Sequence, residues 1–451
     1  MAHEVQGMHG VVEGFYGRPW THAQRMSLVR FVGAIGLDTY LFGPKNDPSH
    51  RGAFAEPLSS ATLSELAEVV EVARASGVRF VYGVSPERLV GGGDLVFRGD
   101  RTRKHPLFRA LVGKLASLVR LGIQDFALFF DDTWPTLAPW LASFAIGERH
   151  ARLVEALVVA LGDEAGVAPT MLVVPAVYFG TASGLSRGAR QYLSGLGSRG
   201  PLRTAWTGPR IFSSFISGAE IRALARETNL SPWVWNNVIA NDWLPLATGE
   251  PLRMRPRERL SFGPVDNLGT DVIGAASGIL LNGAREAELT KISLATLAAF
   301  VRAPFAYHPY AAHDAAIRAV LGADAAEDTS MLFELVQNHP MVTPTGAEAS
   351  TFRDFTARAR RGHATDLERL LTRLAEIDRR LAQTLARHPA LEELRPTAEK
   401  IANAARALGA SARGDLPSAR TWAKAAMASR WSTALDPSLA DAMRGRFPGT
   451  S

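Results

Sequence analysis

Asp131 and Asp132 stand side by side at the end of an apolar run, Phe126 to Phe130, in the stretch DFALFFDDTW. Two carboxylates that close repel, so one resists ionising, and pairs whose proton affinities are pushed apart are common acid/base machinery. Asp is equally a favoured N-cap, and for an isolated Asp-Asp the capping of a following helix is the more frequent use. The neighbours that the fold brings to the pair decide between these readings.

Other polar residues recur where apolar runs give out. Glu13, Gly14, Tyr16 and Gly17 follow the first run, and Lys45, Asn46 and Asp47 the second. Ser85 ends the third and Tyr178 the fifth, while Trp206 and Thr207 end the sixth. Trp235, Asn236 and Asn237 end the seventh, with Asn241 and Asp242 just beyond, and Asn282 ends the eighth. Singly, each has an ordinary explanation: Tyr178 and Trp235 as core aromatics, the asparagines as turn residues, Lys45 as a surface charge. Together they are an inventory for a polyhydroxylated ligand, because amides, Lys and Asp hydrogen-bond hydroxyls and aromatic faces stack on sugar C–H groups. A metal is poorly served, since no histidine cluster or H-x-x-H spacing accompanies the acids. A Mg²⁺ held by Asp131 and Asp132 is the remaining metal alternative.

The elements that must position these residues form a repeating pattern. Strand candidates are Gly10–Gly17, Thr39–Pro44, Arg79–Pro86, Phe126–Asp132, Met171–Tyr178, Thr204–Pro209, Trp233–Asn237 and Gly278–Gly283. Several are continuous apolar runs, as parallel strands covered on both faces should be. Helical patterns lie between them, such as Leu63, Leu66, Val69, Val70, Val72 and Ala73 before Gly77. Eight strands alternating with helices predict an α/β fold, a (β/α)8 TIM barrel over residues 9–303, with its chemistry at the C-terminal strand ends. An open doubly wound sheet is the alternative, but neither G-x-G-x-x-G nor G-x-x-x-x-G-K-[ST] occurs. From 304 to 451 the pattern becomes an all-α helical bundle. Leu367, Leu370, Leu371, Leu374, Ile377, Leu381 and Leu385 form one apolar stripe, read as core, with a homodimer seam as the other way to bury it. Ala398–Gly414 and Leu416–Trp431 continue as helices.

Bulk properties exclude several classes. A net charge of +6 spread over 451 residues, with no Lys/Arg tract interleaved with aromatics, gives no case for nucleic acid. The absence of cysteine removes disulfides, thiolate metal sites and Cys nucleophiles. The start lacks a basic region followed by an apolar core, and no run reaches membrane-spanning length, so the expectation is a cytoplasmic protein without a membrane partner.

Six stretches, GVVEGFYGRPW, YLFGPKND, FALFFDDT, WTGP, WVWNNVIAND and LLNG, resemble in order and spacing the catalytic barrel of glycoside hydrolase family 84. That family includes protein O-GlcNAcases and bacterial β-N-acetylglucosaminidases, some labelled hyaluronidase-like. The resemblance implies a retaining β-N-acetylglucosaminidase acting on a GlcNAc-bearing glycoprotein, peptide or oligosaccharide, with no cofactor. It uses the substrate's own 2-acetamido group as nucleophile, an exception to the enzyme-carboxylate nucleophile. By resemblance, Asp131 orients the acetamide, and Asp132 protonates the leaving oxygen and then activates water against an oxazoline intermediate. Gly14, Lys45, Asp242 and Asn282 resemble the residues that hold sugar hydroxyls. Tyr178 resembles the one that bonds the acetamido oxygen, and Trp206, Thr207, Trp235 and Asn237 resemble the lining of the acetamide pocket. Asn236 and Asn46 depart from a family Asp, and next to Ala176 the residue Val177 replaces a more polar one. The short lead before the first strand lacks the extra domain of many secreted relatives, again an expectation of an intracellular enzyme. Free oligosaccharides such as hyaluronan or cell-wall fragments are the alternative substrates, and a non-catalytic GlcNAc-binding barrel is the alternative function.

Overall fold

The structure is a computed structural model that describes residues 7–86, 89, 103–132, 143–166, 169–242, 260–323 and 392–429, with isolated positions at 365–379, 440 and 443. Eight parallel strands close into a barrel in sequence order. They are β1 (Met8–Glu13), β2 (Thr39–Phe42), β3 (Arg79–Val84), β4 (Asp125–Phe129), β5 (Thr170–Val174), β6 (Arg203–Trp206), β7 (Ser231–Asn236) and β8 (Gly278–Asn282). Closure comes from β1 pairing with β8, with Gly10 opposite Leu280 and Val12 opposite Asn282. The strands stop short of the apolar runs predicted for them. In β4 the ladder ends at Phe129, and Phe130 is fully buried beyond it, so the apolar run covers the rim as well as the wall.

Alternate residues point inward and fill the interior: Val12, Leu41, Val81, Ala127, Phe129, Leu172, Val174, Ala205, Trp233, Trp235 and Leu280. The filling alternates large with small. A Cβ on Gly43 would lie 2.4 Å from the Phe129 ring, so that ring occupies room which only glycine leaves. Phe129 in turn meets Trp235 edge-on at 6.0 Å. Burying aromatics of this size is among the largest apolar contributions a core can make.

Helices α1 (His22–Ala34), α2 (Ser60–Ala75), α3 (Pro106–Val119), α4 (Phe144–Ala165), α5 (Arg187–Leu196) and α6 (Gly218–Thr228) alternate with the strands, and α7 (Ala287–Arg302) follows β8. Their starts follow capping chemistry: Thr21 and Gln24 form a capping box at α1, and Ser59 accepts from Thr62 N–H at α2. The stripe predicted on α2 buries Leu66, Val69 and Ala73.

By contacts the chain divides into two compact units. The first, Met1–Val238, Val265–Ala287 and Leu297–Tyr307, contains all eight strands. The second comprises Ile239–Pro264, Glu288–Thr296 and His308–Ser451. It includes helices α8 (Pro309–Leu321), α9 (Arg395–Ala412) and α10 (Leu416–Ala428). Helices α9 and α10 bury small residues, Ala404, Ala407, Ala419, Ala423 and Ala426, which lets the two backbones approach closely. Of the predicted leucine stripe only Leu371 is described, helical and half-buried; Leu367, Leu370, Leu374, Ile377, Leu381 and Leu385 lie outside the described residues. Among the described residues no helix is long and apolar enough to cross a membrane.

Candidate active site

Because all eight strands run parallel, their C-terminal ends share one rim, and most of the singled-out polar residues are there. Asp131 and Asp132 occupy the turn directly after β4. Successive strand residues would face opposite ways, but Asp132 has a left-handed backbone, φ 55°. Such a conformation costs a non-glycine residue about 1–2 kcal/mol, and Asp tolerates it better than most. Both carboxylates reach the ammonium of Lys45, Asp131 through Oδ2 and Asp132 through Oδ2 at 3.1 Å. The second oxygen of Asp132 receives Tyr178 Oη at 3.4 Å. Tyr16 Oη donates to Asp132 Oδ2 at 2.5 Å, and the Arg51 guanidinium lies 3.5 Å from the same oxygen. The second oxygen of Asp131, Oδ1, is buried with no hydrogen-bond partner among the described residues. These contacts give the pair a purpose other than capping, and residues 133–142, where a following helix would start, lie outside the described residues.

The surroundings separate the two acids. Asp131 is buried, which pushes its carboxyl above the ordinary range, and the neighbouring Asp132 adds to this against the pull of Lys45. Burial acts the same way on Asp132 but is outweighed by Lys45, the Tyr16 hydrogen bond and Arg51, so its carboxyl falls below the ordinary range. Burial alone would lower the proton affinity of Lys45; the two carboxylates reverse that and hold it above the usual lysine value. Burial pushes the Tyr16 phenol up to about 12, and that of Tyr178 further, so both remain hydrogen-bond donors at neutral pH. The ammonium of Lys45 is also ringed by aromatics, with Tyr16, Phe129 and Trp235 centroids 5.7, 5.6 and 6.0 Å away.

A second group adjoins through Trp235. Its indole donates to Asn237 Oδ1 at 2.8 Å, Asn282 Nδ2 donates to the same oxygen at 2.9 Å, and Asn237 Nδ2 donates to Ile211 O at 2.8 Å. The amide of Asn237 is thus spent on the wall of the site, and Asn282 Oδ1 is left buried without a partner among the described residues. Gly14 lies under the Trp235 ring, where a Cβ would come within 2.6 Å of two ring carbons. Thr207 N–H donates to Tyr178 O at 2.9 Å and its hydroxyl to Arg210 O at 2.8 Å, stitching the loops after β5 and β6. Trp206, at the end of β6, is buried. Asp242 follows β7 as a half-buried residue of the second unit, and residues 243–259 beyond it are outside the described residues.

Several rim residues are scaffold. Glu13 is fully buried, with Arg25 of α1 bonded at 2.8 and 2.9 Å and Tyr40 Oη at 2.6 Å. Ser85 donates to Phe129 O at 2.8 Å, and Asn46 Oδ1 accepts from Gly17 N–H at 2.7 Å. Asn236 and Asn267 exchange amide hydrogen bonds at 2.8 and 3.0 Å, and Asn267 extends to Ser213 O at 2.9 Å. Tyr192 of α5 ties β4 to β5: its hydroxyl accepts from Ala176 N–H at 2.9 Å and pairs with His150 Nδ1 at 2.9 Å, while that imidazole stacks on Phe130 at 3.9 Å.

Sequence reasoning missed Arg51 and left Tyr16 without a role. Tyr16 was visible as a rim residue directly after β1. Arg51 carries no local signal, because it is returned to the site by the single-turn helix Pro48–His50, which Asp47 caps. Asn267 lies in a loop with no motif.

The site can therefore present a proton donor and acceptor, an unpartnered carboxylate oxygen and an unpartnered amide oxygen to a ligand bounded by aromatic faces. Among the described residues no group of three His, Asp or Glu could hold a metal. Residues 9–334 match the family model of beta-N-acetylglucosaminidase. The chain is 29% identical over 295 residues to the Protein O-GlcNAcases of Rattus norvegicus and Mus musculus, covering 65% of itself and 30% of each. It thus spans about 30% of the length of these curated relatives. Its fold is similar to that of an O-GlcNAc hydrolase variant from Thermobaculum terrenum, with a TM-score of 0.76, 22% identity, and 98% and 95% of the two chains covered.

Proposed function

The chain belongs to the beta-N-acetylglucosaminidase family, and on that premise we propose that it hydrolyses terminal β-linked GlcNAc, including GlcNAc on Ser or Thr of proteins, with retention and through an oxazoline. The observation that carries this reading is Asp131 Oδ1, a buried carboxylate oxygen with no partner among the described residues, beside a Lys45 that bridges both acids. A buried acceptor left unpaired is unfavourable by about 1–3 kcal/mol, so it marks a place for a donor. The N–H of an acetamide supplies one.

The geometry also argues against an enzyme nucleophile. Two-carboxylate glycosidases place their acids on either side of the sugar, about 5 Å or more apart. Here both acids bond one ammonium nitrogen and so lie on one side. The nucleophile then comes from the substrate. Asp131 takes charge from the acetamide N–H as the acetamide oxygen bonds C1, and Tyr178 bonds that oxygen. Asp132 gives its proton to the leaving oxygen and afterwards takes one from the water that attacks C1.

The surroundings described above raise the proton affinity of Asp131 and lower that of Asp132, the reverse of what these roles require. Bound substrate corrects this. Its N–H stabilises the Asp131 carboxylate, its hydroxyls draw Lys45 away, and its bulk desolvates Asp132, each of which moves the proton to Asp132. Asn282 Oδ1 accepts a sugar hydroxyl. Asp242 and Gly14 are assigned to hydroxyl binding on the motif positions alone. The carrier of the sugar is a glycoprotein, peptide or oligosaccharide.

The test is hydrolysis of aryl β-N-acetylglucosaminide and of the matching β-glucoside, with the first-formed anomer read by NMR and EDTA present in one arm. Retained configuration, at least 10²-fold preference for the N-acetyl sugar and indifference to EDTA are expected, because Lys45 occupies the place between the acids that a divalent cation would need. Equal rates on both sugars, or initial α-anomer, would remove the acetamide nucleophile. No turnover with tight GlcNAc binding would leave a binding barrel.

A further inference from the structure

We infer that Arg51 is a positioning residue that clamps the outer oxygen of Asp132 and favours its carboxylate when the proton leaves for the glycosidic oxygen. The inference rests on the acid/base role proposed for Asp132. Lys45 bonds both acids, and Arg51 adds a second cation at 3.5 Å from Asp132 Oδ2, while its charge also reaches Asp131. Arg51 thus adds to Asp132 a cation beyond the one that the two acids share.

Its placement is firm from below. The turn Pro48–His50 is held by Lys114 of α3, which donates to Ser49 O at 2.6 Å, and by Ser85 N–H, which donates to His50 O at 2.6 Å. The His50 ring is wedged between Phe42 at 4.8 Å and Tyr82 at 4.7 Å. From that base the guanidinium reaches to 3.5 Å from Asp132 Oδ2 and lies 5.5 Å from the centroid of Tyr16, whose hydroxyl donates to the same oxygen. One side chain thus pairs the acid and braces the phenol that bonds it. The Arg51 side chain is 18% exposed and that of Asp132 30%, so solvent screens the pair only in part.

The chemistry gives Arg51 opposite effects on the two steps. In the first, the acetamide oxygen bonds C1, the C1–O electron pair leaves with the aglycone oxygen, and that oxygen takes the Asp132 proton. The carboxylate that appears is stabilised by Arg51. In the second, Asp132 takes a proton from water as its oxygen bonds C1, and the C1–O pair of the oxazoline returns to the acetamide. There the same cation weakens the base. Through Brønsted sensitivity a nearby cation speeds the first step and slows the second. Packing alone would slow both.

The experiment compares wild type, Arg51→Met, Arg51→Gln and Arg51→Lys in the full chain on aryl β-N-acetylglucosaminides of low and high phenol pKa. Single-turnover rates isolate the first step, and the rate of oxazoline hydrolysis isolates the second. The neutral variants should lose about threefold or more in the first step with the poor leaving group and gain in oxazoline hydrolysis. The basic limb of kcat/KM should move up by about one pH unit, because the proton on the pair is held more tightly once the cation is gone. Arg51→Lys should keep the wild-type limb. An unmoved limb in both neutral variants, or equal losses in both steps, overturns the inference. Wild type that turns over no N-acetylglucosaminide would instead overturn the glycosidase reading, and ¹³C NMR titration of the Asp132 carboxyl in wild type and Arg51→Gln still decides the clamp: an equal titration midpoint in the two overturns it.

Discussion

The indole nitrogen of Trp235 donates to Oδ1 of Asn237 at 2.8 Å, and this bond fixes which way the Asn237 amide faces. With Asn282 donating to the same oxygen and Ile211 O accepting from Nδ2, the amide is fully committed. Asn237→Ala should leave two buried donors unpaired and lower the unfolding free energy by about 2 kcal/mol. Urea titration measures this, and a loss within ±0.5 kcal/mol would mean that water replaces the amide.

Gly14 lies against the six-membered ring of the same indole. Gly14→Ala places a carbon 2.6 Å from the Trp235 ring and 2.7 Å from Val12, so the indole or its neighbour must shift. Displacement on that scale should reduce kcat/KM for an aryl N-acetylglucosaminide by on the order of 10–10²-fold, and the overpacked core should lose about 1–3 kcal/mol of stability. Wild-type kinetics in the variant would show that Trp235 is not part of the substrate's wall.

The two carboxylates should fail differently. Asp132→Asn removes the proton donor, so first-step rates should fall most steeply for aryl groups with high phenol pKa. Asp131→Asn should cost on the order of 10²-fold or more whatever the leaving group, since it removes stabilisation of charge growing on the acetamide nitrogen. A plot of single-turnover rate against leaving-group pKa distinguishes them. Steep dependence in Asp131→Asn and a flat line in Asp132→Asn would mean the roles are exchanged.

Stability should fall on the acid side for a reason apart from the site. Burial holds His50 at about 4, His150 at about 3 and His313 at about 4, while the unfolded chain takes up these protons near 6.5. Between those values the unfolded state binds more protons than the folded one. Each histidine therefore removes about 1.4 kcal/mol per pH unit as pH falls from 6.5 towards 4. In His150→Gln the deficit against wild type should narrow over that window, read from urea midpoints. A deficit constant from pH 7 to 4.5 would place the His150 proton elsewhere.

Much of this was legible from the chain because a parallel barrel converts linear order into one rim. Eight apolar runs sufficed to bring Lys45, Asp131, Tyr178, Thr207, Trp235 and Asn282 to the same end. The strand limits were not legible, since Phe130 and Val177 are buried without belonging to the ladder and read as strand. Pairings that depend on loops returning in three dimensions were not legible either. The Asn236–Asn267 amide exchange and the Arg51–Asp132 ion pair join segments with no shared pattern. Glu13 looked like a member of the site and belongs to the outer wall with Arg25, because it points away from the barrel axis.

The left-handed backbone of Asp132 restricts this chain's evolutionary routes. Few residues accept that conformation, Gly freely and Asn or Asp with a modest penalty. Descent from hydrolase to a lectin-like protein would therefore pass through Asn or Gly at this position, not through Ala or Glu. A survey of natural barrels of this kind could sort retired members from working ones by that single letter.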